Sequence, residues 1–164
     1  MPIESGTKLG AYEVIAPMNT GNTSEVYKAS DTRLNRSVAI RLLPPEVLPD
    51  PESKDRLKRE SQAIASLNHP NICAVYEAGE HEGIGYVVME HVEGEMLSQR
   101  LTRGAVDLDE ALRIAIAIAD ALDKAHRKGI AHRGLNPSNV ILTATGIKVL
   151  GFSLSPINPL SATT

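Results

Sequence analysis

The sequence predicts an α+β protein: a strand-rich first half holding one helix, followed by a mainly helical second half. Three observations carry this. Runs rich in β-branched residues, divided by short turn-forming pieces, dominate up to about residue 90. One well-capped helical pattern interrupts them after the third run. Beyond residue 94 the apolar residues recur with helical rather than strand spacing. The expected organisation is a lead-in (1–10), a five-stranded antiparallel part with an inserted helix (11–92), a partial, mainly helical part (93–154) and a coil tail (155–164).

The elements follow in order. Residues 11–15, 25–29 and 37–43 read as strands, joined by the turn-rich stretches 19–24 and 31–35. Linkers this short imply an antiparallel meander. Pro44 and Pro45 stop the third strand. Asp50 suits a helix N-cap, Pro51 the first turn, and Glu52 the positive end of the helix dipole. That helix is expected to reach about Leu67, with Leu57, Ile64 and Leu67 on its apolar face. Glu60 lies on the same face, where a carboxylate needs a partner or a solvated rim position. Residues 72–76 and 84–90 read as a hairpin connected by 80–83. A short helix over 95–102 ends at Gly104. Asp107 can cap a helix over 108–128 that is apolar around most of its circumference, a pattern that expects burial on several sides. Residues 140–143 and 147–150 form a second hairpin, turned by 144–146.

Composition excludes several classes. Net charge is −3, which leaves no basic footprint for nucleic acid or an anionic membrane. With one Phe and no Trp, base-stacking platforms are not expected. The longest apolar run, 114–119, is too short to span a bilayer, and residues 1–6 lack the apolar core of a signal peptide. Cys73 stands alone in an apolar run and reads as a small buried hydrophobe. One cysteine allows no disulfide within the chain, which suits a reducing, cytoplasmic setting.

The stretch Ile130-Ala131-His132-Arg133-Gly134-Leu135-Asn136-Pro137-Ser138-Asn139 and the later Gly151-Phe152-Ser153 carry a specific resemblance. They resemble the His-Arg-Asp-Leu-Lys-Pro-x-Asn catalytic loop and the Asp-Phe-Gly motif of protein kinases. Val38-Ala39-Ile40-Arg41 is similar to the family's Val-Ala-Ile-Lys. The stretches 6–13, 67–72 and 125–139 match in spacing too. Residues 7 to about 154 therefore resemble bacterial serine/threonine protein kinases, and the implied fold is protein-kinase-like: an N-lobe and the start of a C-lobe.

The resemblance implies a nucleotide site at Gly21, Val26, Ala39, Arg41, Glu60, Met89, Glu90, Val92 and Ile141. Gly21 is the one glycine left of the three in the phosphate-covering loop, whose other positions are Asn19 and Ser24. Arg41 stands for the phosphate-binding Lys, and an Arg41–Glu60 ion pair is expected as a structural latch. Met89 falls at the gatekeeper, and Glu90 to Val92 at the hinge. The catalytic Asp is Gly134, the γ-phosphate Lys is Asn136 and the metal-binding Asp is Gly151; Asn139 alone survives as a weak metal ligand.

The packing positions are filled suitably: Ile64, Val75, His132 and Phe152 in the stack through the two lobes, and Val26, Ala39 and Ile141 around adenine. The implied function is a pseudokinase in which weak ATP binding is the most to be expected and Mg2+ is poorly held. A partner or self-association through helix 108–128 is expected, because the helices that cover it in the family have no counterpart before Thr164. Two alternatives stay open: an active kinase transferring the ATP γ-phosphate to protein Ser/Thr, and a truncated remnant. No acidic residue follows Asp123 to compensate for the lost carboxylates.

Overall fold

Alternation buries one side of the first two long strands, at Tyr12 and Val14 and at Tyr27 and Ala29, whereas Val38, Ala39 and Ile40 are buried in succession in the next. The computed structural model describes residues 3–18, 25–45 and 50–152. In it, β1 (Lys8–Leu9), β2 (Tyr12–Met18), β3 (Val26–Asp31) and β4 (Arg36–Leu42) form the expected antiparallel meander. Helix α1 (Pro51–Ala65) follows, then β5 (Val75–His81) and β6 (Ile84–Glu90). The sheet order is β1-β2-β3-β4-β6-β5, so β6 pairs with β4 and β5 takes the edge. Six strands are present rather than five, because the lead-in residues Lys8–Leu9 add a short edge strand to β2.

Helix α1 starts as its sequence dictates. Asp50 is extended at the N-cap, and its Oδ1 accepts the Ser53 N–H at 2.7 Å. Leu57, Ser61 and Ile64 form its buried face.

The strand expected at 72–76 is displaced. The apolar pair Ile72-Cys73 does not enter the first sheet; both residues are buried, and Ile72 makes a parallel bridge to Val149 in the second half. Strand β5 starts later, at Val75, and takes in Glu80 and His81, the first two of the four residues expected to turn. The true turn is Glu82-Gly83, with φ of 50° and 81°; two successive positive φ values match the strand twist in a two-residue hairpin.

The chain leaves the first sheet at Glu90. The expected helix 95–102 divides into β7 (Glu95–Met96) and α2 (Leu97–Leu101). Glu95 and Met96 pair with Leu142 and Ile141 of β8 (Val140–Thr143), which hairpins onto β9 (Gly146–Val149). A backbone-to-backbone ladder here outweighs the local helical signal. Helix α3 (Leu108–Arg127) is capped by Asp107, whose Oδ1 accepts the Glu110 N–H at 2.8 Å.

One apolar cluster spans both halves, joining Leu57, Ile64, Val75 and Val87 to Ile114, Ala121, Val149 and Phe152. A second fills the outer part of the first sheet around Tyr12, Tyr27 and Val38. Among the described residues no helix is long and apolar enough to cross a membrane.

Gly94 sits where the connector crosses β8. A Cβ there would lie 2.2 Å from the Leu142 carbonyl oxygen, a backbone atom that cannot swing aside. Gly94→Ala should therefore destabilise the fold by roughly 1–3 kcal/mol, the usual cost of overpacking. Chemical denaturation of the two proteins, compared at equal m-value, measures it.

Candidate functional site

A cleft of about 760 Å3, part of it open to solvent, lies between the two sheets. Its upper wall is Met18, Val26 and Ala39 from β2, β3 and β4, with Arg41 at one end. Cys73, Val75 and Met89 close its back, and Glu90 and Val92 form the connecting edge. Met96, Ile141 and Leu150 make the floor, beside Ser138, Asn139 and Gly151. The lining is apolar with a few polar groups, the usual construction of a small-molecule site.

Seven of the nine expected nucleotide residues line this cleft: Val26, Ala39, Arg41, Met89, Glu90, Val92 and Ile141. Gly21 lies outside the described residues. Glu60 does not line the cleft. The ion pairs described elsewhere in the fold involve neither Glu60 nor its neighbours on the apolar face of α1. Burial pulls the Arg41 guanidinium below its usual pKa.

An ion pair at the edge of the cleft was not legible beforehand. Lys148 Nζ of β9 stands 3.0 Å from Glu90 Oε1, and Glu90 Oε2 also accepts the Ala74 N–H at 3.2 Å. Beneath it, the Cys73 N–H donates to the Val149 carbonyl at 2.9 Å and the Val149 N–H to the Asn71 carbonyl at 2.8 Å. The edge of the cleft is thereby tied to the second sheet. Cys73, read as a buried hydrophobe, is buried and also forms cleft wall. Burial, reinforced by nearby Glu90, pushes its thiol up to about 12, which makes it a poor nucleophile.

The loop before β8 is built around His132. Its ring is buried against Phe152, centroids 4.7 Å apart. Nδ1 accepts the Gly134 N–H at 3.3 Å, which leaves the proton on Nε2, 2.6 Å from the Leu150 carbonyl. Arg133, at φ 64°, turns the chain sharply between the two. Ile64, Val75 and Phe152 share the cluster that spans both halves, so the expected stack of packing residues is continuous.

The chemical positions are another matter. Gly134 lies outside the cleft lining and offers only its carbonyl, which accepts from Asn139 Nδ2 at 2.8 Å and Asn136 Nδ2 at 3.0 Å. Asn136 does not line the cleft either. Its Oδ1 accepts the Ser138 N–H at 2.8 Å and caps the short 3-10 turn Pro137–Asn139, so a local turn occupies both ends of its amide. A Cβ on Gly151 would face Asn139 Oδ1 at 3.2 Å, whereas one on Gly134 would meet nothing within 4 Å.

Among the described residues the cleft lining offers few oxygen donors to a divalent cation. Mg2+ takes near-octahedral oxygen coordination and is usually held through a carboxylate. Asn139 offers one neutral oxygen, and the cleft's carboxylate, Glu90, is committed to Lys148 and Ala74. Among the described residues no cluster of three or more His, Cys, Asp or Glu gathers. Val26, Ala39 and Ile141 line the cleft, and Glu90 and Val92 border it.

With this geometry in hand, comparison with known proteins gives one answer. The profile of the family described as "Protein kinase domain" matches residues 12–160. A probable serine/threonine-protein kinase of Streptomyces coelicolor is 43% identical over 152 residues, covering 89% of this chain and 23% of its own. The serine/threonine-protein kinase PrkC of Bacillus subtilis is 39% identical over 157 residues, covering 94% and 24%. The crystal structure of the Mycobacterium tuberculosis PknI kinase domain superposes with a TM-score of 0.84 at 31% identity, covering 94% of this chain and 64% of that one. The chain thus spans about a quarter of the length of these curated relatives.

Two measurements check the site. Burial holds the His132 pKa below its usual value, so the unfolded chain binds the proton first. The stabilisation is full above the unfolded pKa of about 6.5 and is lost as pH falls below it. Urea unfolding between pH 7 and 5 should show that loss, and His132→Gln should flatten the slope. Separately, Gly134→Ala should change stability by less than about 0.5 kcal/mol. Gly151→Ala, forced to φ 80° against Asn139, should cost about 1–2 kcal/mol. Thermal denaturation of the pair reads the difference.

Proposed function

This chain belongs to the protein kinase domain family, and we propose that it is a pseudokinase domain within it. On this reading it binds a nucleotide weakly in the cleft, transfers no phosphoryl group, and acts through protein contacts. One observation carries it. The two positions on either side of Asn139 are Gly134 and Gly151, and neither supplies a carboxylate to receive the substrate proton or hold a metal ion. Phosphoryl transfer depends on positioning and on charge stabilisation at the transferring group. With Asn136 committed to its own turn, the loop offers no cation there either. These losses act as a unit rather than multiplying.

A second reading, an active serine/threonine kinase like the named relatives, draws on the continuous packing of Ile64, Val75, His132 and Phe152. Packing sets the frame for catalysis but donates no charge, so the pseudokinase reading is preferred.

Incubation with radiolabelled ATP and Mg2+ should give no labelled protein, on this chain or on an added Ser/Thr substrate. Reproducible labelling that Arg41→Ala abolishes would overturn the proposal. Nucleotide binding should raise the melting temperature equally in Mg2+ and in EDTA; a shift seen only with Mg2+ contradicts the reading of the metal position.

A further inference from the structure

The chain has four methionines, and the three that follow Met1 all line the cleft. They arrive from separate elements: Met18 ends β2, Met89 lies near the end of β6, and Met96 ends β7. Each stands directly across a strand pair from a residue that the kinase resemblance places around adenine. Met18 is opposite Val26, Met89 opposite Ala39, and Met96 opposite Ile141. Opposed residues of an antiparallel pair share one face, with Cβ atoms about 5 Å apart. Each of these three apolar walls therefore has a thioether at its side.

Two properties of a thioether matter here. It is flexible and polarisable, and it makes favourable contacts with aromatic rings. It is also an apolar group that a mild oxidant makes polar. Met18 and Met89 are half-buried in a cleft partly open to solvent, and Met96 is 8% exposed. A molecule as small as hydrogen peroxide reaches the first two before the third. The cleft's other sulfur belongs to Cys73, whose thiol is kept protonated by burial and so reacts slowly, since the thiolate is the nucleophile. At a thioether the peroxide O–O bond breaks, one oxygen bonds to sulfur, and water leaves. Sulfur loses two electrons and the peroxide gains them. The new oxygen is a polar atom in an apolar wall, and a ring packed against it leaves it without a hydrogen-bond partner.

We propose that Met18, Met89 and Met96 are an oxidation site in the cleft wall, where peroxide converts thioether to sulfoxide and lowers the affinity for a purine ring. Sulfoxide reductases reverse this modification, so it acts as a switch on occupancy. The inference rests on the reading of the cleft as a nucleotide site and names a control on that site.

The experiment measures ATP binding to the full chain in EDTA by isothermal titration calorimetry, before and after hydrogen peroxide, with modified residues located by peptide mass spectrometry. Oxidation at Met18 and Met89 should weaken binding roughly tenfold or more, as burial of an unpaired polar group does. Saturating ATP should slow oxidation of both residues relative to a free methionine peptide in the same tube. The triple variant Met18→Leu, Met89→Leu and Met96→Leu, compared only with itself, should show one affinity before and after treatment. Far-UV circular dichroism follows the fold throughout. Binding that survives oxidation of Met18 and Met89 overturns the inference and leaves the nucleotide reading standing. So does a loss that persists in the triple variant, or one that comes with loss of the dichroism signal. Where the triple variant binds no ATP, the protection measurement decides, and equal oxidation rates with and without ATP overturn the inference. No ATP binding by the untreated chain overturns both the inference and the reading of the cleft.

Discussion

The backbone ladder between residues 71–73 and Val149 is the constraint on which the site depends. Two sheets folded from successive halves of a chain have no reason of their own to hold a fixed distance. Here the Cys73 and Val149 amides cross the gap, Asn71 Nδ2 reaches the Ile147 carbonyl at 3.0 Å, and the Glu90 carboxylate bridges Lys148 to Ala74. Each bond contributes about a kilocalorie at most. Their combined effect is geometric: they set Met89 and Val92 against Ile141 and Leu150, so the cleft keeps a floor and a back wall. The apolar cluster common to both halves makes separation costly in solvent exposure.

Within that frame, side chains that pack and side chains that would react have fared differently. His132 is held as a neutral ring by one donor and one acceptor, and Phe152 rests on it. Asn136 stands where the family places a lysine, yet caps a turn that a lysine could not cap. Asn139 spends its amide nitrogen on the Gly134 carbonyl and so braces the loop. The loop keeps its shape through backbone groups and amides, and its shape does not require the missing carboxylates.

Much of this was legible in the sequence for local reasons. Asp50 and Asp107 announce their helices through capping chemistry that acts over three residues, and both caps form. The strand-like runs at 11–15, 25–29 and 37–43, separated by short turns, each correspond to a strand that forms. The misreadings have long-range causes. Ile72-Cys73 looks like the start of a strand in the first sheet, and nothing local reveals that its partner is Val149. Glu95-Met96 has helical neighbours but is claimed by β8. Glu90 and Lys148 are 58 residues apart, so no window of periodicity could pair them. The resemblance located seven cleft residues that composition could not.

The surroundings of the two glycines also decide what a side chain would cost at each. Position 134 opens onto empty space, so a side chain can be placed there with little disturbance to its neighbours. Position 151 is left-handed and crowded by the Asn139 amide, and a side chain there must displace a group the loop uses as a brace. A carboxylate engineered into the loop is therefore admitted freely at 134 but at 151 works against both a strained backbone and a neighbouring amide.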